Sequence, residues 1–378
     1  MDQQSLQTQA NVATLVEYIQ DALTRTGAAA RYAPTFCIKP DEEETGLAVT
    51  LKDVAARAGV SRSAVSRAFT PGASVSDKMR RKVEKAAREL GYHPNVLASS
   101  LTTGRTQLIG LVSNNFHNPV FLEVFDRFTR GLQGKGLRPL LVNLSDETAP
   151  ENSVRMLRQY SVDGVVVASS TLPPEFPLAF RDAGIPVVHA FGRHTDKPAV
   201  DVIGIDNVDC GRMAAITLVA RGYKNVAFMG GPKHATSTQD RLRGFRDALQ
   251  AFPEMAASHS FAAAYSFDAG RTEMQRLIAA GPAEAYFCGD DVLSIGALSA
   301  IMDHGLNVPR DIGLIGLNDM EIAGWANVNL TTIRQPIDRI VDAAVALIGD
   351  MLATPERAPL SHVFPCQVVE RGTLRALP

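Results

Sequence analysis

Cysteine is scarce in this chain of 378 residues: the four, Cys37, Cys210, Cys288 and Cys366, lie far apart, with neither metal-ligand spacing nor the density of a disulfide framework. They read as reduced thiols in a cytoplasmic protein, and no metal site is expected. No apolar run approaches the ~20 residues of a membrane span. The N-terminal stretch also lacks a basic start followed by an apolar core, so neither a membrane protein nor a secreted one is expected. Phosphate-cradling glycine loops and nucleophile–base pairs are missing too, so the chain is not expected to be an enzyme or to carry a cofactor. The net charge is only −2, and hydrophobic residues at 46% exclude a disordered chain.

Against that near-neutral background one stretch stands out. Thr50–Leu101 carries ten Lys and Arg against four Asp and Glu, a basic island of the kind that marks a nucleic-acid-binding module. Thr50 followed by Asp53 approximates a capping box, and the helix it opens over Leu51–Ala58 turns Leu51, Val54, Ala55 and Ala58 to one face. Gly59 permits a sharp turn, Val60 plugs the corner, and Ser61 caps a second helix ending near Phe69–Thr70. Two short helices joined this way form a helix-turn-helix, whose second helix enters the DNA major groove. Its outward positions are Arg62, Ser63, Ser66 and Arg67. Arg can fork onto a guanine edge, and Ser can donate or accept. Pro71-Gly72 breaks the run, Ser76 caps a third helix, and Gly91 ends it.

From Gln107 onward short apolar strands alternate with amphipathic helices. The strands are expected at Leu108–Val112, Pro139–Val142, Gly164–Ala168, Pro186–Ala190, Val226–Met229, Ala285–Cys288 and Ile312–Leu317. The helices are expected at Val120–Lys135, Asn152–Tyr160, Val208–Arg221, Asp240–Ala251, Asp268–Ala280, Val292–His304 and Ile337–Leu352. Repeated βα units imply an α/β fold with doubly wound, mainly parallel sheets. The length suggests two lobes, with a ligand in the crevice beyond the carboxyl ends of the strands. The acidic N-terminal segment, residues 1–49, reads as a flexible tail with one amphipathic helix around Val12–Thr24 as the alternative.

The segment Thr50–Leu101 resembles the headpiece of the lac repressor (LacI/GalR) family. The matching motifs are T-L-x-D-V-A-x-x-A-G-V-S-x-x-x-V-S-R, V-S-x-x-x-R-x-K-V and L-G-Y-x-P-N-x-x-A-x-x-L. The resemblance implies base reading by Arg62, Ser63 and Arg67, and DNA-backbone contacts from Ser61, Ser66, Thr70, Ser74 and Ser76. It also implies a hinge helix over Asn95–Leu101, with Asn95 and Ala98 preceding a Leu101 that wedges into the minor groove. Residues 50–94 are then the headpiece and 95–106 the hinge and linker. Residues 107–378 are the effector-binding and dimerisation core, similar to the family's periplasmic-binding-protein-like core. The pieces that carry this similarity include IGLV at Ile109, N-P-x-F at Asn118, DGVVV at Asp163, GIDN at Gly204, GDD at Gly289, GLND at Gly316 and LTTIRQP at Leu330. By the same resemblance lobe one spans about 107–203 plus 337–364, and lobe two about 204–336 plus 365–378, with crossovers near Ile203, Gln335 and Pro365.

The resemblance also nominates effector contacts. Arg241 matches the family's ligand-contacting Arg, Tyr265 its aromatic platform and Gln335 a polar contact. Asn118 belongs to the N-P-x-F motif, and Phe116 and Phe121 are placed on the opposite wall. Asp290 and Asn318 depart from the pattern: many relatives carry Asn at the first position and Asp at the second. The pair still offers one carboxylate and one amide, which suits vicinal hydroxyls. Asp290-Asp291 reads as strand-end ligand binding plus a helix N-cap. His189, His194 and Asp196 show no metal spacing. The implied function is a repressor, at least homodimeric, that binds double-stranded operator DNA under allosteric control by a small sugar-like effector. The alternative is a co-repressor-dependent regulator responding to a purine-like or other non-sugar metabolite.

Overall fold

The computed structural model describes residues 49–70, 72–93, 100, 104–144, 149–354 and 357–378. The possible helix at Val12–Thr24, the hinge helix over Asn95–Leu101 apart from Ser100, with Asn95, Ala98 and Leu101, and Cys37 lie outside the described residues. The chain divides into two compact units, residues 1–94 and 95–378.

In the first unit, helix α1 spans Leu51–Ala58, α2 Arg62–Phe69 and α3 Asp77–Leu90. The Asp53 carboxylate accepts from the Thr50 amide at 2.8 Å and from the Thr50 hydroxyl at 2.7 Å, and these bonds hold its pKa below the usual carboxylate value. Gly59 takes φ 56°, and the Val60 amide reaches back to the Ala55 carbonyl at 3.0 Å, closing the turn into α2. The Ser61 and Ser76 hydroxyls accept from the amides of Ala64 and Met79, capping α2 and α3. The core is small: Val54, Val65 and Val83 with Ala55, Ala58, Ala68, Ala86 and Ala87. Five of these eight are alanines, so burial alone stabilises little, and caps worth about 1 kcal/mol each carry unusual weight here.

The second unit holds two six-stranded sheets. The first is built from β1 (Leu108–Ser113), β2 (Arg138–Asn143), β3 (Gly164–Ala168), β4 (Val187–Ala190), β5 (Asp201–Ile205) and β11 (Ser361–Phe364), in the order β11-β5-β4-β3-β1-β2, all parallel. The second comprises β6 (Asn225–Gly230), β7 (Ala256–Phe261), β8 (Ala285–Cys288), β9 (Gly313–Asn318), β10 (Thr332–Arg334) and β12 (Gln367–Val369). Its order is β12-β10-β9-β8-β6-β7, parallel except where β12 runs against β10. Between the strands lie α4 (Val120–Gly134), α5 (Pro150–Gln159), α6 (Glu175–Asp182), α7 (Asn207–Ala220), α8 (Thr236–Leu249), α9 (Phe267–Ala280), α10 (Asp291–Asp303) and α11 (Ile337–Ala353).

The inner strands are apolar along their whole length because helices cover both faces; every residue of β3 and β8 is buried. One cluster around Ile109, Phe128, Phe228, Phe245 and Ile340 runs continuously from one sheet to the other. The chain passes between sheets three times, from β5 into α7, from β10 into α11, and from β11 into β12. No described helix is long and apolar enough to cross a membrane.

Candidate functional site

Helix α2 presents its polar face outward. Arg62, Ser63 and Arg67 are exposed and Ser66 half-buried, whereas Ala64, Val65 and Ala68 are buried. The hydroxyls of Ser61 and Ser63 lie 2.9 Å apart, and the Arg67 Nε–H donates to the Ser63 carbonyl at 3.3 Å. Thr70 is half-buried, its hydroxyl donating to the Ser66 carbonyl at 2.9 Å. Ser74 and Ser76 are exposed. Arg80 fixes the end of α2 from α3, donating to the Ala68 carbonyl at 2.5 Å. The result is a short rigid helix carrying two guanidinium groups and two hydroxyls on one face.

In the second unit the strand ends converge. In each sheet the order reverses direction once, between β1 and β3 in the first and between β6 and β8 in the second. Such switch points open a crevice at the carboxyl ends of the strands. Asn118 and Ser170 follow β1 and β3 there, and Asp290 follows β8. The two sheets meet at these points: the Asn118 Nδ2–H donates to Asp290 Oδ2 at 2.9 Å. Asn318, at the end of β9, donates to the same oxygen at 2.8 Å, and the Gln335 amide donates to Asn318 Oδ1 at 2.6 Å. Asp290 Oδ1 accepts from the Val292 amide at 2.9 Å, capping α10. Burial raises the Asp290 pKa above the ordinary carboxylate value, opposed by the Val292 amide, the Arg241 charge and the Asn118 and Asn318 amides.

Arg241 is buried on α8. It donates through Nε to Asn207 Oδ1 at 2.8 Å and through Nη1 to the Gly289 carbonyl at 2.5 Å. Tyr265 is buried, its hydroxyl 2.6 Å from that of Thr238. The neighbouring Asp291 is a structural tie. Its oxygens accept from the Met320 amide at 2.9 Å and the Thr332 hydroxyl at 2.5 Å, and burial pushes its pKa up to about 7. At the end of β9 the backbone turns through Asn318 at φ 128° and Asp319 at φ 60°; the latter is left-handed, where Asp and Asn pay the least among non-glycine residues. Arg334 and Arg371 hold the Asp319 carboxylate at 2.5 and 2.6 Å.

The crevice is shut. Its free volume of 20 Å³ has room for little more than a water molecule, so a ligand of sugar size requires it to open. A second set of contacts crosses it. Arg193, which follows β4, forks onto the Asp240 carboxylate of α8 at 2.7 and 3.0 Å. The Ser170 carbonyl accepts from the Thr236 hydroxyl at 3.1 Å and from the Ser237 amide at 3.3 Å. Ser237 lies in the first turn of α8, where an amide has no partner within its own helix, so this amide is satisfied across the crevice.

Of the residues nominated from sequence, the crevice gathers Asn118, Phe121, Arg241, Tyr265, Asp290, Asn318 and Gln335. Phe116 is not among its lining residues: its ring lies against Phe125, centroids 4.8 Å apart. The lining also includes Asn115, Ser170 and Phe191, which sequence reasoning passed over, and Ile205 and Asn207, which it quoted within GIDN but did not nominate as effector contacts. All five end a parallel strand or lie within two residues of its end, and that position is the signal that could have found them.

Residues 50–95 match the model of the lacI family of bacterial regulatory proteins, and residues 215–374 match a periplasmic binding protein-like domain. The chain is 30% identical over 346 residues to the HTH-type transcriptional repressor CytR of Escherichia coli (strain K12), covering 90% of this chain and 100% of CytR. It is 29% identical to the HTH-type transcriptional regulator CelR of Thermobifida fusca, over 85% of this chain and 97% of CelR. Among solved structures it is similar to the lac repressor dimer bound to operator and the anti-inducer ONPF, with a TM-score of 0.77 at 26% identity, covering 87% of this chain and 100% of that one. A transcriptional regulator CelR–cellobiose complex matches with a TM-score of 0.63 at 27% identity, over 86% and 99% of the respective chains. With a headpiece, a two-sheet core and a relative matched along its entire length, the chain belongs to the lacI family of bacterial regulatory proteins.

Proposed function

We propose that this protein is a cytoplasmic transcriptional repressor whose affinity for a double-stranded operator is set by a neutral, polyhydroxylated effector bound between the two sheets. In this reading residues 50–94 are the DNA-binding headpiece, 95–106 the hinge and linker, and 107–378 the core. Arg62, Ser63 and Arg67 read base edges. Ser61, Ser66, Thr70, Ser74 and Ser76 touch phosphates, and Asn95, Ala98 and Leu101 act at the operator centre. The observation that carries the proposal is the Gln335–Asn318–Asp290–Asn118 chain, which links the switch points of both sheets. Any ligand that inserts there exchanges contacts with both lobes at once, and differential binding of that kind is what couples a ligand to a conformational equilibrium.

The charge balance of the crevice favours a neutral effector. Arg241 and Asp290 contribute one cation and one anion to the lining, and the guanidinium is already committed to two neutral acceptors. The amides of Asn115, Asn118, Asn318 and Gln335 supply both donors and acceptors to hydroxyls. Phe121, Phe191 and Tyr265 offer apolar faces, which also suit a nucleobase; this observation keeps a purine-like effector as the second reading. The repressor acts as a homodimer, supported by the similarity to the lac repressor dimer and by an apolar groove between Leu122, Phe267, Met320 and Trp325. Leu122 is 77% and Trp325 52% exposed, large apolar surface of the kind that a second copy covers.

The test is binding-site selection from random duplex DNA with the full-length protein, followed by affinity measurements on the selected duplex. A pseudo-palindromic consensus is expected, with each of Arg62→Ala and Arg67→Ala losing about 1–3 kcal/mol of discrimination. Binding without sequence preference, or binding unchanged in both variants, overturns the reading. A thermal-shift screen then compares neutral sugars, sugar phosphates and nucleosides. A rise in Tm with the phosphates alone rejects the neutral effector.

A further inference from the structure

The second sheet ends on β7, which pairs with β6 on one side and with no strand among the described residues on the other. The Ala256 and Ala262 amides donate inward, to the Lys224 and Gly230 carbonyls, each at 2.8 Å. In a parallel pair the bonding residues alternate along the strand, so the amides and carbonyls of Ala257, His259 and Phe261 point away from β6. Ala256, Ala257, Ser258 and His259 are exposed, so this edge stands open to solvent. An uncovered row of backbone donors and acceptors is a template for one more strand.

Beside the edge, between β7 and α8, lies a cationic groove. Leu242 and Phe261 supply its apolar surface, and Lys233, His234, Arg243 and Arg246 line it against a single carboxylate, Asp247. Its free volume is 600 Å³ against the 20 Å³ of the effector crevice, so it is open as it stands. The Lys233 ammonium stands 5.9 Å from the centre of the Phe261 ring. Arg243 reaches Asp240 at 3.3 Å, but neither Lys233 nor Arg246 has an acidic partner among the described residues. Alternate residues of a strand share a face, and the His259 ring lies 5.6 Å from that of Phe261. The outward-pointing residues of β7 therefore present their side chains on the face that carries the groove.

We propose that β7 and α8 form a docking surface for an extended acidic segment of a partner protein, added to β7 as a further strand with its carboxylates set against Lys233, Arg243 and Arg246. The two halves of the surface ask for different groups. The free amides and carbonyls of Ala257, His259 and Phe261 need a backbone partner, which a small anion cannot supply. The cations need carboxylates, and the alternation of an added strand sets every second side chain over the groove. Duplex DNA carries the negative charge but no ladder of amides, so it satisfies only half of the surface.

The experiment follows hydrogen exchange at residue resolution in the full-length protein while a short peptide of alternating Glu and Thr is titrated in. Reading β7 itself separates this site from the headpiece, which is also basic. The amides of Ala257, His259 and Phe261 are expected to slow about tenfold at about ten times the half-saturating concentration. The Ser258 amide, already within the ladder to β6, is expected to keep its rate. A peptide of alternating Lys and Thr is expected to change none of them. Lys233→Glu combined with Arg246→Glu is expected to raise the half-saturating concentration about tenfold or more, with the Phe245 amide unchanged as evidence that α8 is intact. Methylating the backbone nitrogens of the Glu residues alone, or of the Thr residues alone, is expected to abolish protection in one case and spare it in the other. The docking surface is overturned if the peptide slows none of the outward amides, if inorganic phosphate slows them equally, or if the charge-reversed protein binds as well as wild type. Strand addition is overturned if both methylated peptides protect alike.

Discussion

Removing the fork between Arg193 and Asp240 should loosen the closed crevice without unfolding the core. Arg193 donates to both oxygens of Asp240 at 2.7 and 3.0 Å and also to the Thr236 carbonyl at 3.2 Å. Asp240 is nearly buried, its side chain 8% exposed, while that of Arg193 is 35% exposed. An exposed pair contributes ~0.2–1 kcal/mol and a hydrogen bond to a charged group ~1.5–3 kcal/mol, so this half-buried fork belongs between them, at about 1–2 kcal/mol. Arg193→Ala does not strand the carboxylate, since Arg243 remains 3.3 Å away. The whole loss therefore falls on the contact that spans the sheets. A change of about 1–2 kcal/mol corresponds to about 5- to 30-fold in the open-to-closed ratio.

Hydrogen exchange at residue resolution measures that ratio directly, because exchange through local opening follows the free energy of the opening. The Ser237 amide, satisfied by Ser170 across the crevice, should exchange about 5- to 30-fold faster in Arg193→Ala. The Phe245 amide, in the interior of the same helix, should keep its rate. Arg193→Lys preserves charge but not the planar fork and should fall between. Equal Ser237 rates in wild type and Arg193→Ala would refute the claim that this pair holds the crevice shut.

Three further outcomes are expected. Asn318→Asp sets two carboxylates within about 3 Å and should abolish effector binding and lower Tm, while the double exchange Asp290→Asn with Asn318→Asp restores Tm; calorimetry on both variants checks this. Gly244→Ala places a methyl group 1.8 Å from the Val208 carbonyl where α7 and α8 cross, so denaturant titration should show a loss of about 1–3 kcal/mol or more. His189 is buried, donates through Nε2–H to the Ser169 carbonyl at 3.0 Å, and is held neutral down to about 4 by burial. The unfolded chain takes up that proton first, so the stabilisation is intact above about 6.5 and is lost as pH falls to about 4, by about 3 kcal/mol in all. Asp291 titrates in the opposite sense over an overlapping range, so the quantity to measure is the pH dependence of wild type minus His189→Gln.

The elements legible in the sequence are those whose cause is local or whose environment is uniform. The three headpiece helices announce themselves through Thr50, Ser61, Ser76, Gly59 and Gly91, each acting on its own neighbours. Strands β3 and β8 are apolar throughout because both faces are covered, and their limits match the expected ones. The edge strand β7, AASHSF, is mostly exposed and shows neither an apolar run nor a clean alternation. Strands β10, β11 and β12 are too short to display a period; pairing with distant segments makes them strands. Helix α6 carries Pro177 near its start, where its missing amide costs nothing, yet a proline inside so short a segment argues against a helix when read alone.

The crevice divides along the same line. Arg241, Asp290, Asn318 and Gln335 were found through motifs, whereas Asn115, Ser170 and Phe191 stand in unremarkable sequence and acquire meaning only from the ends of β1, β3 and β4. The pair Asp290 and Asn318 shows what sequence leaves out. Read linearly, a carboxylate and an amide stand 28 residues apart, and nothing in that spacing says that they meet. In space the two side chains face each other at 2.8 Å, both aimed into the crevice. The pair therefore sets one carboxylate against one amide, with the charge after β8 and the amide at the end of β9. Asp290 now takes the N-cap of α10, where a carboxylate meets the positive end of the helix, and it lies on the oxygen that Asn118 reaches from the other sheet. A charge placed there serves the helix cap and the bridge between the lobes with one group, so any effector that competes for Asp290 loosens both together.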